Sequence, residues 1–288
     1  MAAPWPSARA PVVPRIRVGE FPKEENSMST AVTLDVSELV SKVKTMYRDV
    51  AENPHGTYHF EVGRALAERL GYLPVDLDRI PMESVESFAG VGHYFHLVDI
   101  KQGETVVDFG SGSGMDTFMA ALKVGAEGKV IGIDMTDAQR RKAESLRDRD
   151  GFGNVTFLKG YIEDVPLPDA SADVVISNGV FNLSPDKEKV FHEAARLLRP
   201  GGRLAIADIV TLAKLPETIT CNATLWAACI GGAAQRDEFC SMIEAAALNV
   251  VTIEQNSSYR FVSDRAQNAT KKYGARSVSI LATKSAAH

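Results

Sequence analysis

The apolar positions of this chain change period along its length, and those changes divide it. From Val36 they fall at Val36, Leu39, Val40, Val43, Met46, Tyr47 and Val50, one face of a four-turn helix that Asp35 is placed to cap. Tyr58, Val62, Ala65, Leu66 and Leu70 suggest a second helix over Tyr58 to Leu70, with Gly71 as its stop. Residues 72 to 98 lose the period, carry Pro74, Pro81, Gly90 and Gly92, and read as loop. Beyond them, short apolar runs alternate with amphipathic stretches. Val106-Val107 leads a strand, Met115 to Leu122 a buried helix, and Lys129 to Asp134 a second strand. A charged surface helix over 137–149, a strand at Val155 to Leu158 and another at Ala172 to Asn178 follow. Ser184-Pro185-Asp186 reads as a helix start, with Ser184 as N-cap and Pro185 at the first helical position. That helix runs through Leu198 to the stop Arg199-Pro200-Gly201-Gly202, and Arg203 to Val210 is a fifth strand. Val250 to Glu254 and Ser277 to Thr283 alternate apolar with polar residues and read as closing strands. Strands alternating with helices predict an α/β fold around a mostly parallel sheet.

Residues 1–30 are rich in Pro, Ala, Arg and Glu and read as a disordered leader, with Met28 as an alternative internal start. Residues 31–98 form a helical lid and substrate region, and 99–288 the core, in which 211–245 is an insertion. A net charge of −5 gives no electrostatic footprint for nucleic acid. No apolar run approaches the ~18 residues of a membrane span. The three cysteines, Cys221, Cys229 and Cys240, suggest no disulfide framework, so a cytoplasmic protein is expected.

The chemistry concentrates in Val106-Val107-Asp108-Phe109-Gly110-Ser111-Gly112-Ser113-Gly114. A strand, a tight glycine turn and a helix start make a place where a ligand can lie against the backbone. Asp134 follows 24 residues beyond Gly110, at the tip of the next strand, where a carboxylate can accept both hydroxyls of a ribose. A plain αβ turn with a solvated aspartate and a dinucleotide fold are the competing readings. The spacing Gly110-x-Gly112-x-Gly114 departs from the G-x-G-x-x-G of the dinucleotide fold.

That spacing resembles the methyl-donor loop of the Rossmann-like S-adenosylmethionine-dependent methyltransferases. The run "RLLRPGGRLAIADI" resembles the Pro-Gly-Gly turn of the same class. The resemblance implies S-adenosylmethionine as cofactor, a last strand antiparallel to the rest, an N-terminal helical lid and a substrate wall in the 211–245 insertion. It implies donor contacts from Tyr47, Asp108, Gly110, Ser111, Gly112, Gly114, Asp134 and Met135, from Ile162 and Glu163 around the adenine, and from Asn178 near the methionine part.

"VVDFGSGSGMDTFMAALKVGAEGKVIGIDMTDAQ", "SNGVFNLSPDK" and "ACIGGA" narrow the resemblance to the arsenite-methyltransferase-like, UbiE-like branch. That family carries three working cysteines. Here two of the positions are Val91 and Gly179, and only Cys229 remains. Trivalent arsenic needs several soft thiolates, so an organic acceptor is expected and no metal is called for. Over the whole chain the sequence is similar to fungal thiomethyltransferases that convert the dithiol of a reduced epidithiodiketopiperazine, gliotoxin, into its bis(methylthio) form as self-protection against the toxin. The implied partner is a small dithiol, met by a monomer without membrane or nucleic acid. The pocket is expected from Tyr94, Phe95, Gly179, Phe181, Trp226 and Cys229. A thiol is already a few per cent ionised near neutrality, so no strong base is required; His93 and His96 are the candidates if one acts. Arsenite methylation and donor binding without catalysis are the alternatives.

Overall fold

A computed structural model describes residues 34–223, 226 and 230–286. The expected leader over 1–30 and Cys229 lie outside the described residues. The chain opens with α1 (Val36–Glu52), whose cap is the expected one: the Asp35 side chain accepts from the Glu38 N–H. The second helix, α2 (Arg64–Leu70), is half the expected length. Gly63, at a φ of 88°, stands immediately before it and turns the chain where the apolar spacing alone suggested continuity. Gly71 ends the helix in a left-handed conformation, as expected. The presumed loop over 72–98 contains three short helices, α3 (Pro74–Leu77), α4 (Met82–Glu86) and α5 (Phe95–Val98), each too short to show a period.

The core alternates β1 (Thr105–Phe109), α6 (Met115–Val124), β2 (Lys129–Asp134), α7 (Asp137–Asp150), β3 (Val155–Lys159), β4 (Ala172–Asn178), α8 (Lys187–Leu197) and β5 (Leu198–Thr211). Short α9 (Glu217–Thr220) and β6 (Ala234–Gln235) lead to α10 (Arg236–Ala245), β7 (Leu248–Gln255), α11 (Asp264–Tyr273) and β8 (Arg276–Lys284). The sheet runs β3-β2-β1-β4-β5-β8-β7, with β6 beside β5. Strands β1 to β5 are parallel, and β8 is antiparallel to both β5 and β7, as the resemblance implied. This is a Rossmann-like methyltransferase fold.

Both faces of the sheet are covered, which is why its strands read as continuous apolar runs. Val106, Val130 and Val174 pack toward α6 and α7 with Phe118 and Leu146, while Val107, Ile133 and Val175 pack toward α8 and α10 with Phe191 and Phe239. The strand order reverses between β1 and β4, so the crevice beyond their carboxyl ends is where such a sheet takes its ligand. The start of α8 differs from expectation. Its N-cap is Asp186, which accepts from Lys189 N–H, while Ser184 Oγ accepts from Asp186 N–H and donates to Glu163. Among the described residues no helix is long and apolar enough to cross a membrane.

Candidate active site

A cleft holding about 1090 Å³ of open space, mouth included, lies over the ends of β1, β2 and β4. Its walls include Tyr47, Asp108, Gly110, Ser111, Gly112, Asp134, Met135, Ile162, Glu163, Asn178 and Gly179. The expected donor residues are thus brought together, apart from Gly114, which supports the loop from behind. Gly114 has a φ of 95°, and a Cβ there would meet Phe118 at 2.8 Å and Phe157 at 2.9 Å. Gly110, at a φ of 70°, leaves no space for a side chain against Val180. The glycines therefore supply shape. Their N–H groups are not left open for a ligand, because Gly110 and Ser111 donate to the Ile133 carbonyl and Gly112 donates to Asp134 Oδ2 at 2.9 Å.

Asp134 also accepts from the Thr136 N–H at 2.7 Å, so the acid at the tip of β2 is tied to the glycine turn and to its own following residue. Burial pushes its carboxyl up, and these backbone bonds pull against that. At the other end, Asp108 is fully buried and accepts from Thr117 Oγ1 at 2.6 Å; burial and then the neighbouring Asp116 drive it well above the usual carboxylate range. Asp116 was not anticipated. It reads as an ordinary acid in the first turn of α6, yet it is buried and lines the cleft. Tyr72 Oη donates to its Oδ1 at 2.6 Å, and Tyr94 Oη and Asn178 Nδ2 donate to its Oδ2 at 2.8 and 3.0 Å. Gln139 was also missed: it takes a bond from Ser113 and gives one to the Tyr47 carbonyl at 2.8 Å, which seats α1 over the cleft. Lys142 adds bonds to the Ala51 carbonyl and Ser87 Oγ, and Lys44 of α1 bonds Tyr161 Oη across the mouth.

Several expected pocket residues face elsewhere. Phe181 belongs to a single 3-10 turn, Phe181–Leu183, that points its ring into the core against Phe109 and Phe191 and gives Val180 and Leu183 to the cleft instead. Tyr94 reaches the site only through its hydroxyl on Asp116, and Phe95 packs among Tyr72, His93 and Tyr94. His93 and His96 do not line the cleft. Ser277 and Ser279 of β8 donate to the carbonyls of Val91 and His93, pinning this segment to the sheet, and His96 then meets Glu254 of β7 at 2.9 Å. Burial lowers His93 to about 4, so it is neutral at pH 7. Trp226 packs against Leu39 and Val43 of α1 and under the Lys187 ammonium, and it walls a neighbouring cleft. Asn178 is as much a staple as a ligand contact: its Oδ1 accepts from Val91 N–H at 2.8 Å and its Nδ2 donates to the Gly92 carbonyl.

Two buried carboxylates, Asp108 and Asp116, and the half-buried Asp134 give this wall a carboxylate lining that favours a cation, and the Lys44 charge reaches Asp134. Ser111 Oγ is buried on the same wall without a partner among the described residues. Ile162 and Met135 offer an apolar face beside Asp134. A ligand with a cationic centre, a ribose and a flat ring meets all three conditions, and S-adenosylmethionine has them.

The fold and the cleft define a Rossmann-like methyltransferase. The chain belongs to the methyltransferase domain family, whose model matches residues 100–247. S-adenosylmethionine is the cofactor that the family implies. The chain is 39% identical over 199 residues to the arsenite methyltransferase of Halobacterium salinarum, covering 69% of this chain and 51% of that one. It is 40% identical over 177 residues to the human arsenite methyltransferase, covering 55% and 47%. It therefore spans about half the length of these curated relatives. Among solved structures it resembles an arsenic(III) S-adenosylmethionine methyltransferase from Chlamydomonas reinhardtii, with a TM-score of 0.58 and 31% identity over 77% of this chain and 74% of that one.

Proposed function

We propose that this protein is an S-adenosylmethionine-dependent S-methyltransferase whose acceptor is an organic thiol, and in particular the dithiol of a reduced epidithiodiketopiperazine such as gliotoxin. The observation that carries the reading is the contact between Val91 and Gly179: a Cβ on Gly179 would stand 3.3 Å from Val91 Cγ1. The two positions matched to family cysteines are neighbours, Gly179 lining the cleft and the buried Val91 packed against it, and neither offers sulfur to a metalloid. Among soft ligands, only thiolates would hold trivalent arsenic there. A site without sulfur ligands at these two positions favours a carbon skeleton that brings its own thiol.

When bound, the cofactor supplies an electrophilic methyl on a sulfonium. Asp134, Ile162 and Glu163 would hold its adenosine, and Asp108 with the Gly110–Gly114 turn its amino-acid end. The protein's own work is to orient the thiol and exclude water, and α1 serves the second purpose by covering the cleft. Arsenite remains the second reading, favoured by the names of the relatives. Incubation with S-adenosylmethionine and reduced gliotoxin, arsenite or neither, with products weighed by mass spectrometry, is expected to give mono- and dimethylated gliotoxin. Methylation of arsenite alone would overturn the proposal.

A further inference from the structure

We propose that Asp116 is the proton acceptor for the thiol, held in place by Tyr72 and Tyr94; the inference deepens the thiol-acceptor reading and rests on it. Asp116 lies in the cleft wall one hydrogen bond from Asn178, and the next residue, Gly179, is half of the sulfur-free pair that marks the acceptor end. Its two oxygens are unequally used. Oδ2 accepts from Tyr94 and Asn178, whereas Oδ1 accepts from Tyr72 alone among the described residues and keeps a lone pair for a proton. The unpartnered Ser111 Oγ, nine-tenths buried in the same wall, independently marks this cavity as built for a ligand.

The surroundings suit a base. Burial raises the Asp116 carboxyl above its ordinary value, and the three donors hold that rise in check. Burial and the Asp116 charge push both tyrosines well up, so each stays a donor and neither competes for the proton. The other charged or titratable groups around it are Asp108 on β1, whose carboxyl burial and the Asp116 charge hold well above the ordinary range, and His93 behind the Tyr72 ring, neutral at pH 7. Asp134 and Lys44 stand beyond Asp108. No other carboxylate or imidazole among the described cleft residues is bonded to Asn178.

The step balances simply. The thiol S–H bond breaks and its proton passes to Asp116. The sulfur forms a bond to the donor's methyl carbon as the bond from that carbon to the sulfonium breaks, leaving the electron pair on the departing thioether. The proton returns to solvent after the products leave. Without a base, the reaction waits for thiolate, whose abundance rises tenfold per pH unit up to a thiol pKa of ~8.5.

The test is the single-turnover rate with saturating S-adenosylmethionine and reduced gliotoxin from pH 6 to 10, for the wild type, Asp116→Asn and Tyr72→Phe, with donor affinity measured by calorimetry. The wild type is expected to be nearly level above neutrality. Asp116→Asn should be roughly 10–30-fold slower at pH 7 and within about threefold at pH 9.5, because preformed thiolate replaces the lost base. Tyr72→Phe should move the acidic limb up by about half a pH unit while donor affinity holds. A loss in Asp116→Asn that is the same at every pH, or a wild-type profile that tracks the thiol, would overturn the role of Asp116 and leave the thiol reading standing. A wild type that methylates arsenite and no thiol would overturn both.

Discussion

The two ends of the cleft are made differently. The end proposed for the adenosine is made of residues at strand ends: Asp134 and Met135 at the tip of β2, and Ile162 and Glu163 in the turn after β3. The end proposed for the acceptor is assembled from pieces far apart in the chain, with Tyr72, Tyr94, Asp116 and Asn178 joined by side-chain hydrogen bonds across separations of up to 106 residues. Strand ends are fixed by the sheet, so the donor site comes with the fold. The acceptor site depends on how the N-terminal segments are pinned, and that is where members of one fold can part in what they methylate.

The strongest way to break this contrast is at the donor end. Asp134→Ala removes the acceptor of two backbone N–H bonds together with the carboxylate proposed to hold the ribose, and donor affinity by calorimetry should fall at least about 100-fold. Unchanged affinity would dismantle the site as described. At the acceptor end, Val91→Cys with Gly179→Cys should strengthen arsenite binding by about tenfold or more while weakening reduced gliotoxin, a gain limited by the φ of 73° that the second cysteine must adopt. Failure to gain arsenite affinity would show that the missing thiols are not what sets the acceptor. Lys142→Met keeps the aliphatic stem but releases Ala51 and Ser87, and stopped-flow donor release should quicken about 5–10-fold.

The smallest effect concerns His93. Burial lowers its pKa from 6.5 to about 4, so the unfolded chain takes up the proton first and stability is lost as pH falls through that interval. His93→Gln should flatten the fall in Tm between pH 6.5 and 4 by roughly 2–4 °C, with methyl transfer at pH 7 unaltered. A loss of activity would return the imidazole to the chemistry.

The same division decided what could be read from the residues alone. Gly110, Gly112, Asp134 and Ile162 sit at fixed distances along a βαβ pattern that the residues themselves show, and the antiparallel β8 agrees with what the resemblance implied, whereas the strand order was not read from the residues. Asp116 and Tyr72 carry no such mark, because what makes them functional is a bond between residues 44 apart. His93 and His96 were misplaced for the converse reason. Their neighbourhood is aromatic, which suggests a pocket, but Gly92 lets the backbone pass so close to Ala207 and Asn256 that the imidazoles leave on the far side. Phe181 was lost to a single 3-10 turn that rotates its ring away from the crevice. Helix α2 was overextended because a glycine at positive φ interrupts an apolar spacing that continues through it.

The roof over the cleft is fastened from below by Gln139 and Lys142, both on a helix of the core, and from its own side by Lys44. Spent cofactor bound in this cleft would lie beneath that roof, so its replacement is expected to wait on the fasteners and not on bond making. The first methyl group should therefore appear as a rapid burst, followed by slower steady cycling whose pace responds to solvent viscosity.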